Sequence, residues 1–377
     1  MVQQLRARCF IDDTVDLPAR ELNSQWVAEP TVVTCMNGTI SMQDLHLGVT
    51  PRLDAHTPKL VSRCLLPYDY LPCAECPAWL AFLEQVLPDQ GSRTLLQQTF
   101  GYCLTADMSL QRFFMFEGTG GNGKGVVTNI LGRLLGRENI SGLPLNRFHD
   151  KHDLVVTLGK LVNITSELGE KDRISEEQLK LAVGGDMMHF NPKYQKPFPA
   201  RFTAKIIIST NERPALGDRS EGIWRRLILL PFPVTITPEK QDPRLEDTLA
   251  RELPGILNWA IQGAISLYRK GQFEVPPQSI AARLTYQTES SSARLFFDEC
   301  CELKATAVIG TRVLYQGYRD YCLIDGYKPF NETNFKKEVC KLPGVTKCRA
   351  PNAGDHRPHI YCGVTLSDPP SSPALGS

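Results

Sequence analysis

The sequence predicts an α/β fold with a parallel sheet at its centre. Residues 109–235 alternate apolar, strand-like segments with segments of helical periodicity, which is the pattern of parallel strands joined by crossover helices. Within that region the apolar run Phe113–Phe116 leads into a glycine-rich turn, and a helical pattern follows from Val126. A strand, a glycine-rich loop and a helix in this order form the context in which a phosphate-binding P-loop occurs.

The glycine-rich turn has the P-loop pattern G-x-x-x-x-G-K. Glycines let successive backbone N–H groups turn towards phosphate oxygens, and Lys124 supplies the charge for the β- and γ-phosphates. The residues predicted to bind ATP are Gly118, Thr119, Gly120, Gly121, Asn122, Gly123, Lys124, Gly125 and Val126. Ser or Thr usually follows the lysine and ligates Mg²⁺. Because Gly125 stands there, either water and other side chains hold the metal, with Thr119 or Thr128 nearby, or the site is weakened.

Two further apolar segments end in polar residues that suit ATP hydrolysis. Glu167 follows the apolar run that begins at Leu161, where its carboxylate would hold Mg²⁺ or polarise the attacking water. Asn211 follows the run Lys205–Thr210, where its amide can orient that water against the γ-phosphate. Taken alone, Glu167 is also compatible with a solvated loop and Asn211 with a turn.

Basic residues between and after these strands are candidates for charge stabilisation and for binding nucleic acid. Arg225 and Arg226 precede the apolar run Leu227–Pro231, and either could be delivered to the γ-phosphate of a neighbouring subunit. The alternative is a salt-bridged surface pair. Lys193, Tyr194 and Lys196 follow a Gly-Gly break and predict a projecting hairpin that contacts a nucleic-acid backbone, with a plain solvent loop as the alternative.

The remaining segments divide the chain into four predicted parts. Residues 1–108 hold short strands, an Asn37-Gly38 hairpin turn and helical segments from Pro77 and Thr94. Residues 109–285 form the sheet domain with a helical segment over 244–270, and residues 286–366 form a compact α/β domain in which Cys300 and Cys301 are expected to pack on a helix. Residues 367–377 have the composition of a disordered tail.

Composition excludes some classes of protein and leaves others open. The 377 residues carry a net charge of +1, so binding to nucleic acid would need a local patch or a channel. The chain has 12 cysteines but neither a signal peptide nor an 18-residue apolar run. These features predict a cytoplasmic protein with reduced thiols and no membrane partner.

The order of these motifs resembles the helicase portion of the phage/plasmid primase family, a superfamily 3 group of the AAA+ class related to the poxvirus primase-helicase. The matching residues are Gly118 to Lys124 (Walker A), Glu167 (Walker B), Gly184-Gly185-Asp186 with Lys193 and Tyr194, Asn211 (sensor 1) and Trp224-Arg225-Arg226 (arginine finger). The likeness covers roughly residues 25–366 and includes a winged-helix-like C-terminal module. The family's upstream primase domain has no counterpart here.

The resemblance implies an ATP- and Mg²⁺-dependent replicative DNA helicase of a mobile element, in a bacterial host cytoplasm. It implies a homo-hexameric ring that moves 3′ to 5′ on single-stranded DNA, with Lys124, Glu167 and Asn211 from one subunit and Arg225 or Arg226 from the next. Duplex origin DNA and a separate primase or polymerase are further possible partners. Two alternatives remain: an ATP-gated origin-binding or loading module with little unwinding, and a small-molecule kinase, for which no acceptor pocket is evident.

Overall fold

The computed structural model describes residues 16–42, 51–166, 176–214, 221–289, 292–324, 327, 329–349 and 358–367. The chain divides into two compact units, residues 1–283 and 284–377. No helix in the described part of the chain is both long and apolar enough to cross a membrane. Glu167, Lys328, Arg357 and the predicted tail from residue 368 lie outside the described residues.

The strands and helices of the described residues are as follows. The strands are β1 (Ala19–Leu22), β2 (Gln25–Ala28), β3 (Val32–Cys35), β4 (Gly38–Ser41), β5 (Leu53–Asp54), β6 (Leu60–Val61), β7 (Phe113–Glu117), β8 (Ile140–Ser141), β9 (Val162–Ser166), β10 (Met187–Phe190), β11 (Phe198–Arg201), β12 (Lys205–Thr210), β13 (Leu227–Pro231), β14 (Cys301–Gly310), β15 (Thr346–Arg349) and β16 (His359–Leu366). The α-helices are α1 (Pro77–Val86), α2 (Gln90–Cys103), α3 (Lys124–Leu135), α4 (Glu176–Gly184), α5 (Glu221–Trp224), α6 (Leu245–Arg251), α7 (Leu253–Lys270), α8 (Pro277–Glu289), α9 (Ser292–Cys300), α10 (Thr311–Ile324) and α11 (Glu332–Val339). Short 3₁₀ turns cover Arg137–Asn139, Leu145–Arg147, Asp153–Thr157 and Pro238–Lys240.

A five-stranded parallel sheet forms the centre of the first unit. Its strand order is β13-β7-β12-β9-β8, and every neighbouring pair is parallel. The strands are nearly continuous apolar runs because both faces of the sheet are covered. The carboxyl ends of β7, β12 and β9 therefore meet at one edge of the sheet, where ligands of open α/β sheets bind.

The N-terminal segments and the helices share one hydrophobic core with this sheet. The turn at Asn37 joins β3 to β4, with Cys35 opposite Gly38. Trp79 on α1, Phe100 on α2 and Trp259 on α7 form an aromatic cluster with ring centroids 5.4–5.6 Å apart. Helix α1, which begins at the predicted Pro77, is thereby fixed beside the nucleotide loop.

The predicted helical segment over residues 244–270 consists of two helices, because the chain breaks at Glu252 between α6 and α7. Pro254 stands in the first turn of α7, where a missing N–H is tolerated. The Glu252 carboxylate accepts hydrogen bonds from the backbone N–H groups of Ala78 (3.1 Å) and Trp79 (3.0 Å). The break therefore supplies an anionic cap for the first turn of α1.

The second unit is built in the order α9-β14-α10-α11-β15-β16. Its antiparallel sheet has the order β14-β16-β15, and its helices pack around Phe296, Tyr318 and Phe335. The rings of Tyr318 and Phe335 stack with centroids 4.4 Å apart. The expectation that Cys300 and Cys301 pack together on a helix is wrong, since Cys300 ends α9 and Cys301 begins β14.

Candidate nucleotide-binding site

The glycine-rich loop joins β7 to α3 at the carboxyl edge of the parallel sheet. Gly123 precedes the helix with φ 82°, in the left-handed region that favours glycine. A Cβ at Gly118 would lie 2.0 Å from the side-chain nitrogen of Asn122, so the two residues approach too closely for any other side chain. The strand–loop–helix arrangement predicted from the sequence is confirmed, although the helix begins at Lys124 rather than at Val126.

Lys124 lies at the centre of this loop and is 5% exposed. Its ammonium group donates to the carbonyl of Gly118 (2.7 Å), to Oδ1 of Asn122 (3.0 Å) and to Oδ1 of Asn211 (3.1 Å). Burial lowers the pKa of Lys124, and the Glu117 carboxylate partly opposes this effect. The three donors are thus held by three oxygens, which a phosphate group can replace with stronger, charge-assisted bonds.

The structure brings Asn211 to the loop, as the sequence predicts. Strand β12, which ends at Thr210, pairs with β7 on one side and with β9 on the other. Ser166, the last residue of β9, and Ser209 line the same cleft as Asn211. Glu167 would follow Ser166, and its role stays a prediction because it lies outside the described residues.

The side chains around Gly125 indicate whether the protein could bind Mg²⁺ directly. A Cβ at Gly125 would meet no atom within 4 Å, so the position has space for a side chain but supplies no hydroxyl. The Thr128 hydroxyl lies within hydrogen-bond distance of the carbonyl oxygens of Lys124 (3.1 Å) and Gly125 (3.0 Å) inside the helix, and Thr128 is not among the residues that line the cleft. Thr119 is exposed and is not among the residues that line the cleft. The described side chains around position 125 therefore fit a phosphate better than a directly bound metal.

The cleft beside the loop has a volume of about 580 Å³, and its walls include segments that the sequence patterns do not indicate. Phe82 and Gln85 reach it from α1, and the segment after β13 covers the opposite side. In that segment the Ile236 N–H donates to the Gly121 carbonyl (2.7 Å), and Glu246 accepts a bond from Asn129 of α3 (2.9 Å). These walls could hold the base and sugar of a nucleotide.

An ion pair at the sheet edge was also missed by the sequence patterns. Nε and Nη2 of Arg213 bind the two carboxylate oxygens of Glu117 at 2.6 and 3.0 Å. Both side chains are largely buried, which strengthens a two-pronged guanidinium–carboxylate contact. The pair ties the end of the P-loop strand to the turn that carries Asn211. The two residues are 96 positions apart in the chain, and the local pattern of polar residues does not indicate a contact between such distant positions.

Comparison with protein families gives matches to two separate parts of the chain. Residues 116–226 match a family described as being of unknown function (DUF5906), and residues 294–344 match the family described as Poxvirus D5 protein-like. The first match covers the P-loop, Asn211 and the Arg225-Arg226 pair. The second lies within the C-terminal unit.

The curated relatives are viral proteins that carry the name "Putative helicase". The protein of Acanthamoeba polyphaga mimivirus is 26% identical over 165 residues, which are 40% of this chain and 16% of that protein. The protein of Frog virus 3 (isolate Goorha) is 22% identical over 267 residues, which are 64% of this chain and 27% of that protein. This chain is related to the poxvirus D5-like proteins.

The chain spans only 27% or less of the length of these relatives. Among solved structures, the apo C-terminal region of NrS-1 superimposes with a TM-score of 0.48 at 14% identity. That superposition covers 78% of this chain and 77% of the other.

Arg225 and Arg226 lie at the amino ends of the parallel strands, whereas Lys124 lies beyond their carboxyl ends. They immediately precede β13, which runs parallel to β7 with Leu227 opposite Phe113. Five residues of strand separate the two edges by roughly 17 Å. Neither arginine can therefore reach the P-loop of its own chain.

The predicted hairpin is present as the antiparallel pair β10–β11. Lys193, Tyr194 and Lys196 lie exposed in the turn between the two strands, and Tyr194 has φ 63°. The base of the turn is held by His152, whose ring nitrogen Nδ1 lies 2.7 Å from the Asn191 carbonyl oxygen. The three predicted DNA-binding side chains thus share one exposed loop on an anchored base.

A second cavity of about 530 Å³ lies between the N-terminal strands and this hairpin. Its lining includes an ion pair between Arg201 on β11 and Asp16 (2.7 Å), and it contains no P-loop residue. Because this second cavity has no phosphate-binding group from the P-loop, the cleft at Lys124 is the candidate nucleotide site.

Proposed function

We propose that this chain is the motor portion of an ATP-dependent replicative DNA helicase of a virus or other mobile element. In this proposal it is a superfamily 3, AAA+ type ATPase that works as a homo-hexameric ring. The observation that carries the proposal is the 3.1 Å bond between Lys124 Nζ and Asn211 Oδ1 at the carboxyl edge of a parallel sheet. A cation in a P-loop and an amide on the adjacent strand are two of the groups that take part in hydrolysis of a terminal phosphate.

The proposed chemistry assigns one task to each of these side chains. Lys124 binds the β- and γ-phosphates and offsets the negative charge that develops as the terminal bond breaks. Once phosphate oxygens take over the lysine donors, the Asn211 amide is free to orient the attacking water. Glu167, which follows β9 in the chain, is proposed to take the proton from that water.

Mg²⁺ would accompany the nucleotide and would offset part of the negative charge on its phosphates. Without a hydroxyl at Gly125, the metal would be held by the phosphates, by water and by Glu167. This arrangement predicts a higher Mg²⁺ requirement than that of P-loops that carry Ser or Thr at this position.

The trans assignment of Arg225 and Arg226 follows from their location. An arginine roughly 17 Å from its own P-loop can act only on a nucleotide in another subunit. A contact between opposite edges of identical sheets is heterologous, and such a contact generates a ring when the rotation between subunits closes. We expect Arg225→Ala or Arg226→Ala to cut turnover while leaving nucleotide binding intact, and full activity of both variants would refute the assignment.

Single-stranded DNA is the proposed track, contacted by Lys193, Tyr194 and Lys196 in the ring channel, with 3′ to 5′ movement. In the C-terminal unit the order of helices and strands supports a winged-helix-like module that could contact duplex origin DNA. There, burial and the neighbouring Lys336 ammonium lower the pKa of Lys347, so the two cations lie close together on α11 and β15. A separate primase or polymerase would supply primers.

One observation favours a second candidate function. The missing hydroxyl at Gly125, together with the absence of Thr128 from the lining of the cleft, is compatible with an ATP-gated origin-binding or loading module that hydrolyses slowly. Such a module would bind DNA when ATP is present and unwind little.

The test is ATP hydrolysis measured against protein concentration, with and without single-stranded DNA. We expect the rate per subunit to rise cooperatively with concentration, to rise further with DNA and to vanish in Lys124→Ala. Arg137→Gln is a matched control, because Arg137 is an exposed arginine with no ion pair among the described residues. Slow hydrolysis that is indifferent to both DNA and concentration would refute the motor and favour the loading module.

A further inference from the structure

Four arginines lie together at the amino edge of the central sheet. Arg112 precedes β7 and Arg226 precedes β13, and the Phe113 N–H donates to the Arg226 carbonyl (3.0 Å), so the two residues start adjacent strands. Arg225 is next to Arg226 in the chain. Arg283 on α8 joins them, because its Nη1 donates to the carbonyl of Trp224 (3.4 Å).

In the described part of the chain, ion pairs do not balance the charges of these arginines. No described carboxylate forms an ion pair with any of the four, and Nε of Arg226 is buried without a hydrogen-bond partner. Burial lowers the pKa of Arg112, and the guanidinium groups of Arg283, Arg225 and Arg226 lower it further. Asp186 raises the pKa of Arg226 but lies beyond ion-pair distance.

An anion that binds between half-buried guanidinium groups relieves their mutual repulsion and supplies acceptors for their donors. Their planar, forked donors match the oxygens of a phosphate group better than any other common biological anion. The structure therefore contains a phosphate-receiving surface at the edge of the sheet opposite to its own P-loop.

The cleft at the P-loop carries the complementary features. It holds the proposed triphosphate, and Asp242 and Glu246 line it. The arginine surface is roughly 17 Å from that cleft along the strands, so the fitting anion belongs to a different molecule. A second copy of this chain presents such an anion on the face that a head-to-tail contact would bring to the arginines.

We propose that Arg112 and Arg283, together with Arg225 and Arg226, form one four-arginine surface that receives the triphosphate bound by a second copy of this chain. This inference rests on the proposed ATPase function and extends it to two residues that no motif indicates. Arg225 is exposed, whereas Arg112 and Arg283 are half-buried.

The experiment mixes two variants of the full chain. Arg112→Gln keeps an intact P-loop and loses part of the arginine surface, whereas Lys124→Ala keeps the arginines and loses the P-loop lysine. We expect Arg112→Gln and Arg283→Gln each to lower ATP turnover roughly tenfold or more while changing the affinity for a fluorescent ATP analogue less than about twofold. An equimolar mixture of Arg112→Gln and Lys124→Ala should recover activity, because one interface in the mixture combines both intact halves.

The outcomes separate this inference from the function on which it rests. If the wild-type chain hydrolyses no ATP, the proposed function fails. A second outcome would refute only the four-arginine surface. In that outcome the wild type and the control Arg137→Gln are active and Arg225→Ala is inactive, but Arg112→Gln and Arg283→Gln retain full activity. Activity that is lost but not recovered on mixing, in variants that still bind the analogue, also refutes a role across the interface. If Arg112→Gln does not bind nucleotide, the experiment uses Arg112→Lys in its place, because lysine keeps the positive charge.

A DNA-binding role for the same surface makes a different prediction. In that case Arg112→Gln would weaken the binding of single-stranded DNA, measured by fluorescence anisotropy, and would leave DNA-independent hydrolysis unchanged. That combination would overturn the proposal.

Discussion

Replacing the buried Lys205 should change how the stability of the protein depends on pH. Lys205 is the first residue of β12, the strand that ends beside Asn211, and its side chain is fully buried. Its ammonium donates to the Thr105 carbonyl and lies 4.8 Å from the centre of the Tyr102 ring. Burial lowers the pKa of Lys205 to about 8, although Asp107 and neighbouring thiols act to raise it.

The size and sign of the effect follow from that pKa. The unfolded chain holds the lysine proton with the ordinary pKa of 10.5, so between pH 8 and 10.5 it binds more protons than the folded chain. Stability from this group therefore rises with pH through that window and is lowest below pH 8. At about 1.36 kcal/mol for each tenfold change in proton affinity, the full difference is about 3 kcal/mol.

The assay is urea unfolding of the wild type and of Lys205→Met at pH 7, 8, 9 and 10. Methionine is of similar length and does not titrate, so subtracting its curve removes the opposing titration of buried thiols and tyrosines to first order. We expect the free energy of unfolding of the wild type, relative to the variant, to increase by about 2–3 kcal/mol between pH 7 and 10. A difference that stays constant across this range would refute a lowered pKa for Lys205 in the folded protein.

Three further predictions concern the loops. Gly125→Ser has free space, and we expect the added hydroxyl to lower the Mg²⁺ concentration for half-maximal hydrolysis severalfold, as a magnesium titration would measure. Gly123→Ala combines φ 82° with a Cβ 2.8 Å from Val86, so it should lower the free energy of unfolding by about 1–3 kcal/mol, whereas the control Gly125→Ala should not lower it. Replacing the exposed Lys193 and Lys196 by alanine should leave thermal unfolding unchanged. It should also reduce the slope of log affinity for single-stranded DNA against log salt by about 1.4, measured by anisotropy.

The sheet and the P-loop could be predicted because their signals are local. Strand β12 has the bounds expected from its apolar run, Lys205–Thr210, and β13 begins and ends at the expected Leu227 and Pro231. Strands buried on both faces are continuous apolar runs, which a sequence displays directly. The glycine spacing before Lys124 gives the loop its shape, so the contact with Asn211 needed only the expectation that parallel strands end at one edge.

The features that could not be predicted depend on residues far apart in the chain. Arg213 pairs with Glu117 across the sheet edge, and Glu252 caps a helix that begins at Pro77, more than a hundred residues earlier. Each of these charged side chains resembles an ordinary surface residue in its local pattern. Only the order of the strands brings such partners together, and apolar periodicity carries no information about that order.

Strand β13 links two groups of residues that are proposed to act in different active sites of the ring, the arginines at its amino end and the P-loop beside its carboxyl end. Arg226 precedes the strand at one edge, while at the other edge the Phe232 N–H donates to the Glu117 carbonyl (2.7 Å), directly before the P-loop. The strand between them is buried and hydrogen-bonded to β7, so the distance from the arginines to the P-loop is fixed within a subunit. A nucleotide that pulls on the arginines of one subunit must then move that subunit as a rigid body. We therefore expect ATP and ADP states to differ in the angle between neighbouring subunits, while the separation between Arg226 and Gly118 within each subunit stays constant.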